Sequence, residues 1–341
     1  MSERLEDIAR AMVADGKGIL AADESSGTIK KRFDAIGVES TETNRRDYRE
    51  LLFRSAEAMK AHISGVILYD ETIRQKAADG TPLVDLIRAA GAIPGIKVDK
   101  GAKPLPGFPG DTVTEGLDGL AERLAEYHGL GARFAKWRAV IDIDAAAGVP
   151  SAAAIGANAH ALARYAGLCQ AAGIVPIVEP EVLMDGAHDI DTCYGVTKAV
   201  LLEVFHELQA MKVGLEGMVL KPNMVISGKK SGRRDSPEKV ADMTIRLFRE
   251  VVPAAVPGIA FLSGGQSDEE ATANLNAINA IGPHPWKLTF SYGRALQAAP
   301  QKAWAGKKEN VAAAQAAFAH RARMNGLAAQ GKWTETLEKA A

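Results

Sequence analysis

Residues 215–223 read LEGMVLKPN, and the pattern of this stretch is repeated along the chain. Its apolar run, Met218 to Leu220, predicts a short strand that is buried on both faces. Because Pro222 cannot continue the hydrogen-bond ladder of a sheet, Lys221 should lie at the carboxyl end of this strand. Burial favours the neutral form of an amine, which is a nucleophile toward carbonyls. Lys221 is therefore either a nucleophile or a lysine whose ammonium reaches solvent from the strand end.

Short apolar runs of this kind recur, each followed by turn residues and then by a longer stretch with helical periodicity. The runs are 18–22, 65–69, 95–98, 132–137, 174–178, 217–220, 259–263 and 286–290, and helical stretches include 117–130, 157–172, 191–211, 237–251 and 267–280. Strands that alternate with helices predict a parallel sheet, and eight such units fit one (β/α)₈ TIM barrel. A doubly wound sheet is the alternative, but it usually has fewer strands and a GxGxxG turn after the first, which this chain lacks.

Two further helices are predicted outside the eight units, over residues 1–14 and 310–329. No linker-like or low-complexity tract divides the chain, so we expect a single domain over residues 1–341, with a flexible tail from about residue 331 to 341.

The composition argues against several classes of protein. The 341 residues are 47% hydrophobic and 24% charged, with a formal net charge of -1, which offers no electrostatic basis for binding nucleic acid or an anionic membrane. Cys169 and Cys193 form no CxxC pair, so we expect neither a disulfide scaffold nor a thiolate metal site. Neither a signal peptide nor a membrane span is apparent, and we expect a soluble cytoplasmic protein.

Charged residues follow most of the predicted strands: Asp23, Lys97, Asp99, Lys136, Arg138, Glu179, Glu181 and Lys221. The carboxyl ends of TIM-barrel strands meet at one mouth, where the active site lies. Each charge alone could belong to an ion pair that neutralises the mouth, but the whole set favours an active site.

The residue types suggest a division of roles. Lys136 could place a second cation near Lys221 and so lower the pKa of that amine. Glu179 could move protons while a carbinolamine forms and loses water. Asp23, on the first strand, could take a proton from a substrate hydroxyl.

Two glycine-containing segments predict phosphate binding, LSGGQSDEE at 262–270 and FSYGR at 290–294. They follow the seventh and eighth strands, where TIM barrels often bind phosphate, and glycines let backbone amides approach an anion. Ser25, Thr28 and Arg32 could hold a second phosphate with Lys97, or could simply begin a capped surface helix. The basic run KKSGRR at 229–234 is either a solvated loop or a contact for polyanionic metabolites or a partner.

With these motifs in place, the chain resembles class I fructose-bisphosphate aldolase, the Schiff-base type, from about Ile8 to Trp333. The matching stretches include GKGILAADES (16–25), GIKVDKG (95–101), FAKWR (134–138), IVPIVEPE (174–181), LKPN (220–223), FLSGGQS (261–267), LTFSYGRAL (288–296) and WAGKKEN (304–310).

The resemblance implies a TIM barrel, commonly a homotetramer, that cleaves fructose 1,6-bisphosphate reversibly into dihydroxyacetone phosphate and glyceraldehyde 3-phosphate. It implies that Lys221 forms the Schiff base with the C2 ketone, that Glu179 and Lys136 transfer protons, and that Asp23 deprotonates the C4 hydroxyl. The protonated imine is the electron sink, so neither a metal nor a cofactor is expected. The implied substrate- and phosphate-binding residues are Ser25, Thr28, Arg32, Lys97, Arg138, Ser263, Gly264, Gly265, Ser291, Gly293 and Arg294.

The sequence departs from the animal members of this family, which end in a flexible tail with a terminal tyrosine that assists proton exchange. Here no tyrosine follows Tyr292, so we expect another group or water to carry out that step. Fructose 1-phosphate or sedoheptulose 1,7-bisphosphate is an alternative preferred substrate. A barrel kept as a scaffold is a non-enzymatic alternative, but it predicts the loss of a chemical residue, and each of them is present.

Overall fold

The computed structural model describes residues 3–339, whose strands alternate with helices along the chain. The strands are β1 (Gly18–Ala22), β2 (Ile63–Leu68), β3 (Ile93–Lys97), β4 (Ala102–Pro104), β5 (Thr112–Thr114), β6 (Phe134–Ile141), β7 (Val175–Val182), β8 (Val219–Leu220), β9 (Gly258–Phe261) and β10 (Lys287–Tyr292). Eight of them close into a parallel barrel in the order β1-β10-β9-β8-β7-β6-β3-β2, and β4 and β5 form a separate antiparallel hairpin. The predicted TIM barrel is confirmed, and the doubly wound sheet is excluded.

Fourteen α-helices are present within the described residues. They are α1 (Leu5–Met12), α2 (Ser26–Asp34), α3 (Glu42–Phe53), α4 (Ala56–His62), α5 (Asp70–Arg74), α6 (Leu83–Ala89), α7 (Leu120–Gly129), α8 (Ala152–Ala171), α9 (Ile190–Ala210), α10 (Pro237–Val251), α11 (Asp268–Ala280), α12 (Arg294–Trp304), α13 (Val311–Ala328) and α14 (Glu335–Lys339). The capping box that the sequence predicts before α11 is present, with Ser267 accepting from the Glu270 backbone and Glu270 accepting from the Ser267 backbone. Between residues 3 and 339, no helix is both long enough and apolar enough to cross a membrane.

The barrel interior is a small apolar core that α1 closes at the amino ends of the strands. Ile8, Met12 and Val13 of this segment pack with inward-facing strand residues. The hydroxyl of Ser64, on β2, donates a 2.6 Å hydrogen bond to the carbonyl of Met12 and so fixes the end of the helix against the barrel. The Phe134 ring fills the centre, and a Cβ on Gly95 would lie only 2.2 Å from it. One end of the barrel is thus closed by packing, which leaves the other for chemistry.

The C-terminal segment packs against the outer helices. Glu338 of α14 contacts the guanidinium of Arg321, whose side chain is only 5% exposed, and accepts a 2.9 Å hydrogen bond from the Trp333 indole. The predicted helix over 1–14 is observed as Leu5–Met12, while residues 1, 2, 340 and 341 lie outside the described residues. The single domain and the flexible tail stay predictions.

Candidate active site

The predicted catalytic side chains continue the inward-facing rows of their strands. Alternate residues of a strand point to the same face. Every second residue along a strand therefore faces the barrel interior, from the apolar core to the mouth. The rows are Ile19 and Ala21 of β1, followed by Asp23; Phe134, Lys136 and Arg138 of β6; Ile177, Glu179 and Glu181 of β7; and Val219 of β8, followed by Lys221. This alternation, together with the closed barrel, brings residues that are far apart in sequence to one place.

Lys136 is the centre of a buried ion network. Its Nζ lies 2.7 Å from Asp23 Oδ2 and 3.3 Å from Glu179 Oε2, while Lys221 Nζ lies 3.0 Å from Glu179 Oε1. The side chains of Lys136, Glu179 and Lys221 are 5%, 4% and 5% exposed, and that of Asp23 is 13% exposed. The nitrogens of both lysines thus contact one carboxylate, and the four predicted catalytic residues form a single connected cluster.

The network fixes the protonation of three of its members. Burial raises the pKa of Asp23, but Lys136 and then Lys221 outweigh it and hold that pKa well below its usual range. Burial likewise raises the pKa of Glu179, but Lys136 and then Lys221 outweigh it, so the pKa of Glu179 is also lowered. Burial lowers the pKa of Lys136, but Asp23 and Glu179 raise it above the ordinary value. At neutral pH Lys136 is therefore a cation between two carboxylates.

Arg138 and Glu181 form a second ion pair, one step further toward the mouth. Arg138 Nε contacts Glu181 Oε2, and the backbone amide of Arg138 donates a 3.3 Å hydrogen bond to Asp99. Burial lowers the pKa of Arg138, but Glu181 raises it above its usual value. Arg138 is thus held by a carboxylate on the neighbouring strand while its side chain remains 40% exposed.

The glycines after β9 are required by packing. A Cβ on Gly264 would lie 2.9 Å from Met184 Cε and 3.0 Å from Glu181 Oε1. Gly265 has φ of +79°, and a Cβ there would lie 2.7 Å from Met184 Cβ. Ser263 comes just before them and is 7% exposed. The absence of side chains lets this loop lie directly on the segment after β7, and it leaves backbone amides open to a small anion.

Ser291 and Arg294, in the second predicted phosphate segment, differ in whether their side chains already have hydrogen-bond partners. Ser291 is 1% exposed, and its Oγ has no hydrogen-bond partner among residues 3–339. A buried unpartnered hydroxyl is unusual and is explained if a ligand supplies the partner. Arg294 instead donates from Nη2 to the main-chain oxygen of Gln266, so it ties the loop after β10 to the loop after β9.

Ser25 and Lys97 line a common cleft of about 600 Å³ at the mouth. Ser25 caps α2, as the sequence allows: its Oγ accepts a 3.4 Å hydrogen bond from the Thr28 backbone and lies 3.1 Å from Thr28 Oγ1. Lys97 Nζ lies 3.5 Å from Asp99 Oδ1. A larger cavity, about 910 Å³, lies at the opposite end of the barrel and contains none of the predicted site residues.

Arg32 lies away from that cleft, beside Gly293. Its Nη2 would be 3.6 Å from a Cβ on Gly293, which places it between the two predicted phosphate regions. Arg32 also contacts Glu24, a buried carboxylate that accepts a 2.7 Å hydrogen bond from Gln297. Arg49, which is 1% exposed, donates to the Glu24 carbonyl. Sequence reasoning did not identify Glu24, Arg49 or Gln297, although the position of Glu24 next to Asp23 was an available signal.

The sequence of the chain matches a known protein family over nearly its whole length. The family model described as fructose-bisphosphate aldolase class-I matches residues 4–341. The chain belongs to this family. The resemblance seen in its sequence is therefore confirmed.

Several relatives are similar over nearly their whole length. A probable class 1 fructose-bisphosphate aldolase of Xanthomonas axonopodis is 57% identical, covering 97% of this chain and 98% of its own. Fructose-bisphosphate aldolase 1 of Toxoplasma gondii is 55% identical, covering 98% and 92%, and aldolase C of Rattus norvegicus is 55% identical, covering 97% and 91%. The solved fructose-bisphosphate aldolase of Plasmodium falciparum, in complex with TRAP and a small molecule inhibitor, superposes with a TM-score of 0.95 at 53% identity, covering 97% of this chain and 95% of its own.

Membership of the aldolase family defines the reaction. The chain is a metal-independent lyase that cleaves fructose 1,6-bisphosphate through a lysine Schiff base, in glycolysis. A phosphorylated sugar is its substrate. The family match does not assign a role to each residue.

Proposed function

We propose that Lys221 is the lysine through which this class-I fructose-bisphosphate aldolase forms its Schiff base. The observation that carries the proposal is its position: Lys221 Nζ ends an inward-facing row, is almost fully buried, and contacts a carboxylate at 3.0 Å. A nucleophilic amine must be free of its extra proton, and Glu179 Oε1 is the acceptor within reach.

Glu179 supports both proton steps of imine formation. When the amine adds to the C2 carbonyl, the nitrogen loses a proton and the carbonyl oxygen gains one, which gives the carbinolamine. Protonation of its hydroxyl then releases water and leaves the protonated imine. Glu179 lies between Lys221 and Lys136, so it can accept a proton on one side and exchange it with a cation on the other.

Asp23 is proposed to accept the proton of the C4 hydroxyl. Like Glu179, it contacts Lys136, and its lowered pKa keeps it ionised at neutral pH. Loss of that proton lets the C3–C4 bond break, with the bonding electrons moving toward the protonated imine. The aldehyde leaves, and the remaining fragment is bound to Lys221 as an enamine.

The substrate phosphates are proposed to bind at two regions of the rim. Ser263, Gly264, Gly265, Ser291, Gly293 and Arg294 would form the C1-phosphate region, and Ser25, Thr28, Arg32, Lys97 and Arg138 would lie toward the C6 phosphate. The buried, unpartnered Oγ of Ser291 supports the first assignment. The position of Arg32 beside Gly293 also allows it to contact the first region.

Borohydride reduction in the presence of dihydroxyacetone phosphate tests the assignment of Lys221. Peptide mass mapping should locate a stable adduct on Lys221, and Lys221→Met should lose both adduct and turnover while its circular dichroism spectrum stays native. Lys230→Met, at an exposed lysine, is the matched control and should retain both. An adduct on another lysine, or activity abolished by EDTA, would overturn the proposal.

We further propose that the enzyme is a cytoplasmic homotetramer. The family resemblance supports this assembly, and the near-neutral net charge of -1 supports a protein that binds neither nucleic acid nor membranes. Sedimentation velocity of the purified enzyme tests the assembly, and a monomer at micromolar concentration would contradict it.

A further inference from the structure

The basic run after β8 lines a cavity whose lining shares only Gly265 with the proposed substrate site. The cavity, about 420 Å³, lies between residues 226–240 and residues 265–274, on the outer side of the loop that follows β9. We name it the outer cavity. Three cations line it, Lys229, Arg233 and Arg234, together with the carboxylates Asp235 and Glu270. None of these five residues belongs to the proposed substrate site.

A buried amide supplies the second, independent feature of this cavity. Gln266 lines it and is 4% exposed. The Oε1 atom of Gln266 accepts a 2.7 Å hydrogen bond from Asn274, but its Nε2 has no partner among the described residues. A buried donor left without an acceptor is costly, so a ligand with acceptor oxygens would satisfy it.

The basic loop is held in a fixed position. The backbone amides of Gly228, Lys229 and Lys230 donate hydrogen bonds of 2.8, 2.8 and 3.0 Å to carbonyls of the segment after β7. Gly228 lies so close to Gly186 that a Cβ would be 2.2 Å from its carbonyl oxygen. The cations therefore project from a loop whose backbone is already ordered, which lowers the entropic cost of binding.

The existing partners of the cations are weak competitors for a ligand. Lys229 pairs with Asp185 at 2.9 Å and Arg233 approaches Asp189 at 3.9 Å, but both pairs are well exposed and hence screened by water and salt. Arg234 is 87% exposed and pairs with Glu270 at 2.9 Å. An anion with several oxygens would contact two guanidinium groups and the amide at once, which an exposed carboxylate does not.

The carboxylates that line the cavity are already engaged by other groups. Asp235 accepts a 2.9 Å hydrogen bond from the Ser227 backbone and lies 3.4 Å from Lys239. Glu270 Oε2 accepts a 2.8 Å hydrogen bond from the Ser267 backbone in the capping box. Their negative charge is thus partly compensated within the fold, so it repels an external anion less than two unengaged carboxylates would.

We propose that the outer cavity binds a small multivalent anion, of the class of phosphorylated metabolites, and that this occupant steadies the loop after β9. The connection runs through one residue. Gln266 lines the outer cavity and carries the unpartnered amide nitrogen, while its main-chain oxygen accepts a hydrogen bond from Arg294. An anion bound to the amide therefore restrains the backbone that holds Arg294 and follows Gly265.

Calorimetric titration with inorganic pyrophosphate tests the binding site on the whole enzyme. The active site is first occupied by reductive trapping with dihydroxyacetone phosphate, and the adduct is verified by mass. Trapped enzyme should still bind pyrophosphate, and Arg233→Ala/Arg234→Ala should weaken this binding about tenfold or more, because charge-assisted hydrogen bonds are lost. Gln266→Glu, which replaces the donor by an anionic oxygen, should abolish it. Pyrophosphate could also bind in the cleft that Lys97 lines at the barrel mouth; such binding is recognised because it should be lost in Lys97→Ala.

The matched control is Arg4→Ala/Arg10→Ala, which removes two exposed arginines at α1, at the other end of the barrel. It should bind pyrophosphate as the unmodified enzyme does. Equal weakening in both double variants, or no binding at millimolar pyrophosphate, would overturn the site. If no adduct forms, the proposed function is refuted, but the outer cavity can still be tested by titrating untreated protein with pyrophosphate. The unmodified protein should then show one binding site more than Arg233→Ala/Arg234→Ala.

Kinetics test the coupling to the catalytic loop. We expect pyrophosphate to compete with substrate at the active site of every variant and so to raise KM in all of them. Because the occupied outer cavity steadies the loop, we expect a smaller rise in the unmodified enzyme than in Arg233→Ala/Arg234→Ala, with kcat equal in the two. Equal rises in KM would show that the outer cavity binds an anion without acting on catalysis, and the coupling would be rejected.

Discussion

Replacing Lys136 by methionine should destabilise the fold more than replacing Lys221, although both lysines are equally buried. Lys136 Nζ contacts Asp23 at 2.7 Å and Glu179 at 3.3 Å, whereas Lys221 contacts only Glu179. At an effective dielectric constant of about 20, these two contacts of Lys136 correspond to about 6 and about 5 kcal/mol of attraction. Burying the ammonium offsets much of this, and removal of one partner from a buried pair typically costs about 3–5 kcal/mol. We expect this range for Lys136→Met and about 1–2 kcal/mol for Lys221→Met, which leaves Glu179 paired with Lys136.

The difference in stability between the unmodified enzyme and Lys136→Met should become smaller as the pH falls. In the unmodified enzyme the pKa values of Asp23 and Glu179 are lowered, so their stabilisation is present above the unfolded pKa of about 4 and is lost as pH falls through the folded pKa. Without Lys136, burial becomes the dominant influence and should raise the pKa of Asp23 above its unfolded value. The ionised carboxylate then destabilises the variant at neutral pH, and protonation relieves this as pH falls.

Urea unfolding at several pH values between about 8 and 5 measures this effect. The gap between the unmodified enzyme and Lys136→Met should narrow by up to about 1.4 kcal/mol for each pH unit below the variant's Asp23 pKa. Lys230→Met, at an exposed surface position, should show no gap at any pH. A gap that is constant or widens in acid, or a Lys136→Met variant as stable as Lys221→Met, would refute the assignment of Lys136 as the shared cation.

Three further substitutions test other parts of the structure. Ser291→Ala removes a buried hydroxyl without a partner in the described chain, so stability should change by less than about 1 kcal/mol while KM rises roughly tenfold, as steady-state kinetics would show. Gly265→Ala should cost about 2 kcal/mol or more in urea unfolding, because φ is +79° and the new Cβ would lie 2.7 Å from Met184 Cβ. Gly27→Ala is the control and should be neutral or stabilising, because a Cβ there would have no neighbour within 4 Å. Glu338→Gln should lower the free energy of unfolding by about 3 kcal/mol at pH 7, because Arg321 loses its carboxylate partner. Since the pKa of Glu338 is lowered, this loss should become smaller as the pH falls below about 4. A loss that persists in acid would contradict the ion pair.

The sequence predicts the barrel and the catalytic cluster because both follow from short-range patterns. A run such as 174–178 marks a buried strand, and the inward-facing parity of β7 then carries from Ile177 to Glu179 without further information. Strand limits were less predictable. The run at 217–220 contributes only Val219 and Leu220 to β8, since the three residues before Met218 form a 3₁₀ turn.

Interactions across the rim could not be read from local patterns. FSYGR at 290–294 predicts an arginine near a phosphate, but not that Arg294 donates to the carbonyl of Gln266. Likewise, Arg49 lies in a helix with nothing nearby in sequence to indicate that it reaches the Glu24 carbonyl, 25 residues away. Such contacts depend on how helices pack around the barrel, and a long flexible side chain can reach several partners within the same radius.

The ion network also explains how a charged intermediate can form in a buried site. Creating a new charge away from water is costly unless a partner is already in place. On the proposed assignment, the carboxylate of Glu179 already lies 3.0 Å from the Lys221 nitrogen, which carries the positive charge of the protonated imine. Lys136 balances the charge of Asp23 before that residue accepts the C4 proton, and afterwards the Lys136 cation still has a carboxylate partner, because Glu179 lies 3.3 Å away. The site therefore stabilises the imine with dipoles and charges that the fold has already positioned, and little reorganisation accompanies the chemical step.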